Sequence, residues 1–299
     1  MGKIIVVGSS NSDLVFGTPR IPLPGETIMG NTFAVLPGGK GGNQAVAAAH
    51  AGGDVTFIAR VGKDDLGKEA LANYQNSGIV TEHIRVDPDA PSGTAMILVN
   101  SETGENAIVV VPGANGNLSP ADVEAAEAAI EQADVLLVQL ETPLPAVARA
   151  LELAKKHGVR TILNPAPARE LPEEILKNVD CITPNETETE VLTGILPDDE
   201  ASLQAAAERL HQHVQTVLIT LGARGVYVSE KDHQSIVPTT KVQAVDTTAA
   251  GDVFNGYFAA GLAEGMDLFA AIERANRAAA ISVTRHGAQP SIPFLREVS

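Results

Sequence analysis

A repeated order of short apolar runs, polar loops and helical stretches restricts this chain to few architectures. Ile4 to Val7, Val55 to Val61, Val135 to Leu140, Arg160 to Leu163 and Thr216 to Thr220 are rich in aliphatic residues and too short for buried helices. Runs of this length between polar residues read as strands covered on both faces. Leu66 to Ser77, Ser119 to Gln132, Leu144 to His157 and Glu200 to His213 read as helices. Of these, Ser119-Pro120-Ala121-Asp122 supplies an N-cap and a proline in the first turn. Cys181 to Thr183 and Val226 to Val228 add short strands, and Val253 to Ala263 and Leu268 to Val283 the last helices. Alternating strand and helix means a parallel sheet covered on both faces and joined by right-handed crossovers. The expected fold is α/β: a three-layer sandwich with a central, mostly parallel sheet flanked by helices. No repeat, linker or low-complexity tract divides it, so residues 1–299 are expected to form a single domain.

Two stretches stand outside that alternation. Leu14 to Leu36 carries Pro19, Pro22 and Pro24 and no helical period. In Ser92 to Pro112, the runs Ala95 to Val99 and Ala107 to Val111 flank Glu102-Thr103-Gly104-Glu105, which is a hairpin signal. Residues from about 14–36 and 92–112 are therefore joined into a small β-sheet subdomain, placed as a lid.

Composition narrows the ligands. With 21 Lys and Arg against 37 Asp and Glu, the net charge of −16 disfavours nucleic acid and anionic membrane as partners. Aromatic residues at 3%, without Trp, make a base-stacking platform improbable. A phosphate ligand must then be held locally, by helix ends, a few cations or a metal. The single Cys181 cannot form an internal disulfide, and the N-terminal apolar run is too short for a signal peptide. No run approaches the ~18 apolar residues of a membrane span. These features together point to the cytoplasm.

Residues able to meet a ligand follow the strands: Asn11, Asp13, Glu141, Asn164, Asn185 and Gly222. In open α/β sheets ligands sit off the carboxyl ends of strands. An Asx turn is the alternative for Asp13. Pro37-Gly38-Gly39-Lys40-Gly41-Gly42-Asn43-Gln44 enters an Ala-rich helix, and its glycines would let a ligand approach the backbone. It is not a Walker A loop, because Gly follows the Lys and the upstream Gly is missing. The stretch Asp246-Thr247-Thr248-Ala249-Ala250-Gly251-Asp252 opens the helix that follows it. Small residues there expose unpaired N–H groups that attract an anion. A carboxylate at Asp252 would repel that anion but could take a proton beside it, which suits phosphoryl transfer. An ordinary N-cap with Asp in the first turn is the competing reading.

Together these residues resemble the ribokinase-like carbohydrate kinases over essentially the whole length. The resemblance rests on Gly39-Lys40-Gly41-Gly42-Asn43, Asn185-x-x-Glu188 and Asp246 to Asp252, in that order. It implies a central sheet flanked by helices and a β lid that pairs with a second subunit, giving a homodimer. An uncovered β stretch would otherwise leave unpaired edges. It implies ATP-dependent phosphorylation of D-ribose at O5, with Mg2+ as cofactor and K+ as activator.

The resemblance also implies roles. Asn11, Asp13, Gly39, Lys40, Gly41, Gly42, Asn43 and Glu141 contact ribose. Asp252 touches ribose as well and takes the proton from the 5-hydroxyl, beside an anion hole of Ala249, Ala250 and Gly251. Asn185, Thr220, Leu221, Gly222, Ala223, Arg224 and Gly225 contact the nucleotide, with Gly251 and Asn276. Asn185 and Glu188 orient magnesium through water, which suits a metal that keeps much of its hydration shell. Asp246, Thr248, Ser282, Arg285, Gly287 and Ser291 form a monovalent-cation site, mostly through backbone oxygens. Ala249 stands where the broader family carries Gly, a change common in its ribose-acting branch. Gly42 stands where many members carry Ala, a difference expected to be silent. Two rival readings remain: a kinase for another small sugar or nucleoside, and a non-catalytic sugar-binding regulator. The Asn11/Asp13 pair favours a compact polyol over a nucleoside, and Asp252 with its anion hole argues for catalysis.

Overall fold

The computed structural model describes residues 1–230 and 233–298. Its strands are β1 Lys3–Val7, β2 Asn11–Thr18, β3 Thr32–Gly38, β4 Asp54–Gly62, β5 Ile84–Asp87, β6 Gly93–Asn100 and β7 Asn106–Val111. They continue with β8 Val135–Val138, β9 Arg160–Leu163, β10 Cys181–Ile182, β11 Thr216–Thr220, β12 Val226–Glu230 and β13 His233–Val237. The helices are α1 Lys40–His50, α2 Asp65–Asn76, α3 Pro120–Glu124, α4 Glu127–Glu131, α5 Leu144–Lys156 and α6 Glu173–Leu176. After them come α7 Glu186–Thr193, α8 Glu200–Leu210, α9 Ala250–Ala263, α10 Leu268–Ser282 and α11 Leu295–Val298.

Nine strands form the central sheet, in the order β13-β12-β11-β10-β9-β8-β1-β4-β5. Every pairing from β5 across to β11 is parallel, and β12 and β13 close one edge as an antiparallel hairpin. β1 explains the layering. Ile4 and Val6 enter the core packed by α1, α2, α9 and α10, whereas Ile5 and Val7 enter the core packed by α3, α4, α5 and α8. Successive side chains on a strand point to opposite faces, so an uninterrupted apolar run needs helices on both sides. Each such side chain contributes roughly 1.5–3 kcal/mol by burial.

A second sheet of four strands, in the order β3-β2-β6-β7, stands apart. It occupies 11–38 and 93–111, close to the stretches set aside on sequence grounds. Its rows separate cleanly by face. Asn11, Asp13 and Val15 share one face of β2, and Leu14 and Phe16 the other. On that other face, Phe33 and Val35 of β3, Met96 of β6 and Val109 of β7 continue an apolar row that is exposed.

The structure differs from the sequence reading at three places. Ser119 to Gln132 is not one helix: α3 and α4 are separate, with Ala125 and Ala126 between them. The break lets Val123, Ala126 and Ile130 all reach one core. Asn185 caps a further helix, α7, which the sequence reading did not place. Finally, β5 and β13 add edge strands that their polar, short runs did not announce.

Candidate active site

Asp252 lies in the first turn of α9 and is only 6% exposed. Its Oδ2 accepts from Asn43 Nδ2 at 2.9 Å and its Oδ1 from Gln44 Nε2 at 2.9 Å. Burial pushes its pKa up, while Lys40, Asn43 and Gln44 pull against that rise. Sheltering of this kind makes a carboxylate a better base, and two donors leave lone pairs for a substrate hydroxyl. The turn before it is strained. Ala249 sits at φ 61 and ψ 10, in the left-handed region, which costs an L-residue about 1–2 kcal/mol. Glycine would escape that cost. The N–H groups of Ala249, Gly251 and Asp252 meet no acceptor among the described residues, whereas Ala250 donates to Thr247 O at 3.2 Å. Of the Ala249 to Gly251 set expected from sequence, Ala250 alone is engaged by protein, and Asp252 adds a further open donor.

The glycine-rich turn is packed by protein. Gly39 caps α1 at φ 84, and a Cβ there would come within 2.7 Å of Asn11 N. Lys40 N donates to Glu141 Oε2 at 3.0 Å, Gly41 N to Ser9 Oγ at 3.3 Å and Gly42 N to Ser9 O at 2.8 Å. The helix entrance expected to admit a ligand is thus filled by Ser9 and Glu141. Gly41 lies against Gly8 and Ser9, and Gly42 against Tyr74 and Gln289, so both face protein.

Asn11 and Asp13 are on β2 and not in a loop, which removes the Asx-turn alternative for Asp13. A Cβ on Gly38 would overlap the Asp13 carboxylate, so only glycine leaves that space. Asn11 Oδ1 accepts from Asn115 Nδ2 at 2.8 Å, and Asn115 Oδ1 accepts from Ser10 N at 2.8 Å. Burial, then the charges of Glu141 and Asp252, raise the Asp13 pKa to about 6. Glu141 Oε2 also accepts from Ser9 Oγ at 2.5 Å. Burial of Lys40 opposes its charge, but the carboxylates of Asp252, Glu141 and Glu188 outweigh this and raise its pKa.

A cavity of about 620 Å³ opens on the other side of Gly251. Asn185, Thr220, Gly222, Ala223, Gly225 and Asn276 line it as expected, joined by Val226, Val242, Phe254 and Val283, which were not foreseen. Leu221 is buried outside that lining, and the Arg224 guanidinium reaches Glu186 at 3.5 Å. Asn276 Nδ2 donates to Val237 O at 3.2 Å, holding the end of β13 against the cavity.

Asn185 and Glu188 form a capping box: Glu188 accepts from Asn185 N at 2.9 Å and from its Nδ2 at 3.0 Å. Glu188 is 7% exposed, so it does not belong to a solvated acidic face. Burial raises its pKa, against the opposing pull of the Asn185 N–H and of Lys40. Each oxygen keeps a lone pair, a donor set that fits a hydrated divalent cation. Asp246 ties two distant segments: Oδ1 accepts from Thr248 N at 2.9 Å and Oδ2 from Gly287 N at 2.8 Å. The hydroxyls of Ser282 and Ser291 donate to Ala279 O and Ala288 O, and Arg285 pairs with Glu297 at 2.6 Å. The carbonyls of these three, and the lone pairs left on the two hydroxyls, remain for a cation. Among the described residues no group of three or more His, Cys, Asp or Glu is placed to hold a metal.

Sequence reasoning missed Ser9, Gln44, Tyr74, Asn115 and Gln139 as parts of this site. Gln139 carried a signal, being the polar residue within the apolar run Val135 to Leu140.

A model of the "pfkB family carbohydrate kinase" family matches residues 1–295. The chain is 48% identical over 295 residues to the ribokinase of Haemophilus influenzae, covering 98% of this chain and 96% of that one. It is 44% identical over 300 residues to the ribokinase of Staphylococcus aureus, covering 99% and 98%. The solved structure of Arabidopsis thaliana ribokinase complexed with ribose and ATP superimposes with a TM-score of 0.92 at 32% identity. That likeness covers 100% of this chain and 98% of that chain.

Proposed function

The chain belongs to the pfkB family of carbohydrate kinases, and we infer that it phosphorylates D-ribose at O5, with ATP as donor. The observation that carries this reading is the place of Asp252: buried, aligned by Asn43 and Gln44, and in the first turn of α9 among its open N–H groups. In the reaction Asp252 accepts the 5-hydroxyl proton as O5 bonds to the γ-phosphorus of ATP. The bond to the β–γ bridging oxygen breaks, and ADP leaves. N–H groups at the start of α9 and the charge of Lys40 offset the charge on the moving phosphoryl group. Asn11, Asp13 and Glu141 hold the sugar, and the apolar wall of the 620 Å³ cavity suits a flat heterocycle.

Mg2+ accompanies ATP in this reading; Asn185 and Glu188 would hold it through water, and it would supply charge neutralisation. The K+ activator rests on the Asp246 link between the α9 turn and Gly287. The four-stranded sheet serves as the lid, within a single kinase domain over 1–299. Its exposed apolar row supports a homodimer, which sedimentation velocity tests: a monomer at micromolar concentration would refute it. The compartment is the cytoplasm, in keeping with the buried free thiol of Cys181. No helix among the described residues is long and apolar enough to cross a membrane.

ADP release measured with D-ribose, 2-deoxy-D-ribose, D-fructose and adenosine, with and without EDTA, separates the readings. Ribose should give the highest kcat/KM, lost on chelation. Release that is independent of sugar would refute the assignment.

A further inference from the structure

Asn43 and Asp252 belong to the site as already assigned, but the second donor to Asp252 leads elsewhere. Gln44 is fully buried and sits in a chain of side-chain amides. Its Nε2 donates to Asp252 Oδ1 at 2.9 Å and to Asn164 Oδ1 at 3.0 Å, while its Oε1 accepts from Gln139 Nε2 at 2.6 Å. Asn164 Nδ2 in turn donates to Thr183 O at 3.2 Å. An amide presents either its nitrogen or its oxygen to a neighbour, and only the nitrogen suits a carboxylate. Gln139 and Asn164 decide which: one supplies a donor to the oxygen, the other an acceptor for the nitrogen. Gln139 is fully buried too, and its Oε1 has no partner among the described residues. Burying an unpaired carbonyl is unfavourable, so stability alone gives no reason for an amide there. The end of β1 makes room for it, since a Cβ on Gly8 would overlap that oxygen.

We propose that Gln44, oriented by Gln139 and Asn164, is a positioning residue that fixes the rotation of the Asp252 carboxylate and keeps its base form available. The proposal rests on the reading of Asp252 as the base. A flipped Gln44 would set its oxygen against Asp252 Oδ1, turning an attraction into a repulsion. The charged groups that face Asp252 are Lys40 from α1, Glu141 after β8, Asp13 from β2 and Glu188 from α7. None of them replaces a donor at Oδ1. Losing that donor disfavours the ionised form, so the base would titrate at higher pH.

The test is the pH profile of kcat at saturating ribose and ATP for Gln44→Met, Gln139→Met and Asp252→Asn. Saturation keeps the sugar contacts of Asp13 made, so the acid limb follows the base. Both methionine variants keep the side-chain length and remove the amide; Gln139→Met does not touch Asp252. The acid limb should move up by about one pH unit in Gln44→Met, and in the same direction in Gln139→Met. KM for ribose should change less than about threefold while kcat at pH 7 falls roughly tenfold or more. If Gln44→Met does not fold, Gln139→Met carries the test. Acid limbs that coincide with wild type, beside an inactive Asp252→Asn, would overturn the positioning role and leave the base intact. Wild-type turnover in Asp252→Asn would instead remove the base, and this proposal with it.

Discussion

A Cβ placed on Gly42 would overlap the hydroxyl of Tyr74. Tyr74 cannot yield easily: it is 1% exposed, its ring packs edge-on against Phe57, and its hydroxyl is 2.7 Å from Ser10 Oγ. Gly42 lies in α1, where alanine would gain about 1 kcal/mol of helix propensity. Overpacking a rigid core costs about 1–3 kcal/mol and should win.

Gly42→Ala is therefore expected to lower stability by about 1 kcal/mol or more, against the silent change expected from sequence alone. Tyr74→Phe removes the obstructing oxygen. In that background the same substitution should cost less, since the closest overlap is gone and only the contacts at 3.2 Å with Gln289 and the Tyr74 ring oppose propensity. Urea unfolding of the two single variants and the double variant checks this. Equal effects of Gly42→Ala in both backgrounds would show that the contact relaxes freely.

Asp13 connects function to pH. Its pKa of about 6 in the folded protein lies above its ordinary 3.8. The folded state then holds this proton more tightly than the unfolded chain. The ionised carboxylate subtracts stability at neutral pH, and the penalty fades as pH falls through about 6 towards 3.8. Asp13→Asn should raise the melting temperature at pH 8 and leave it nearly unchanged at pH 4. It should also weaken ribose binding by ~1–3 kcal/mol, through hydroxyls left without a charged acceptor. Calorimetry at pH 8 that finds unaltered ribose affinity would take Asp13 out of the sugar site.

Asp246 joins the turn ahead of α9 to Gly287 after α10. Its pKa is lowered: burial acts upwards, but hydrogen bonds from Thr248 and Gly287 outweigh it. Asp246→Ala should loosen the turn that places Ala249 and blunt any gain in kcat from potassium. Rates in choline salts, with potassium or sodium added back at constant ionic strength, are expected to rise severalfold with potassium only in the parent protein. A flat response in the parent would dismiss the cation site.

Much of the fold was legible because burial is local in strands such as β1, where Ile4 to Val7 are all buried. β13 was not, since His233 to Ile236 are polar or exposed at an edge and carry no periodic signal. Asp252 could be read from its helix entrance. Gln44 and Gln139 could not be joined, because they stand 95 positions apart and meet only through the β1–β8 pairing and the seating of α1. Asn115, 104 positions from Asn11, escaped for the same reason. Local pattern places side chains at strand ends, but topology decides which ends share a site.

The Asp252 carboxylate is the proposed acceptor of the O5 proton. Turnover of ATP and D-ribose by Asp252→Asn, with the product identified by phosphorus NMR, tests this most directly. The parent protein should yield ribose 5-phosphate, and the variant should bind ribose with little change while kcat drops by on the order of 10²–10⁴-fold. A variant that makes ribose 5-phosphate at close to the parent rate would contradict it.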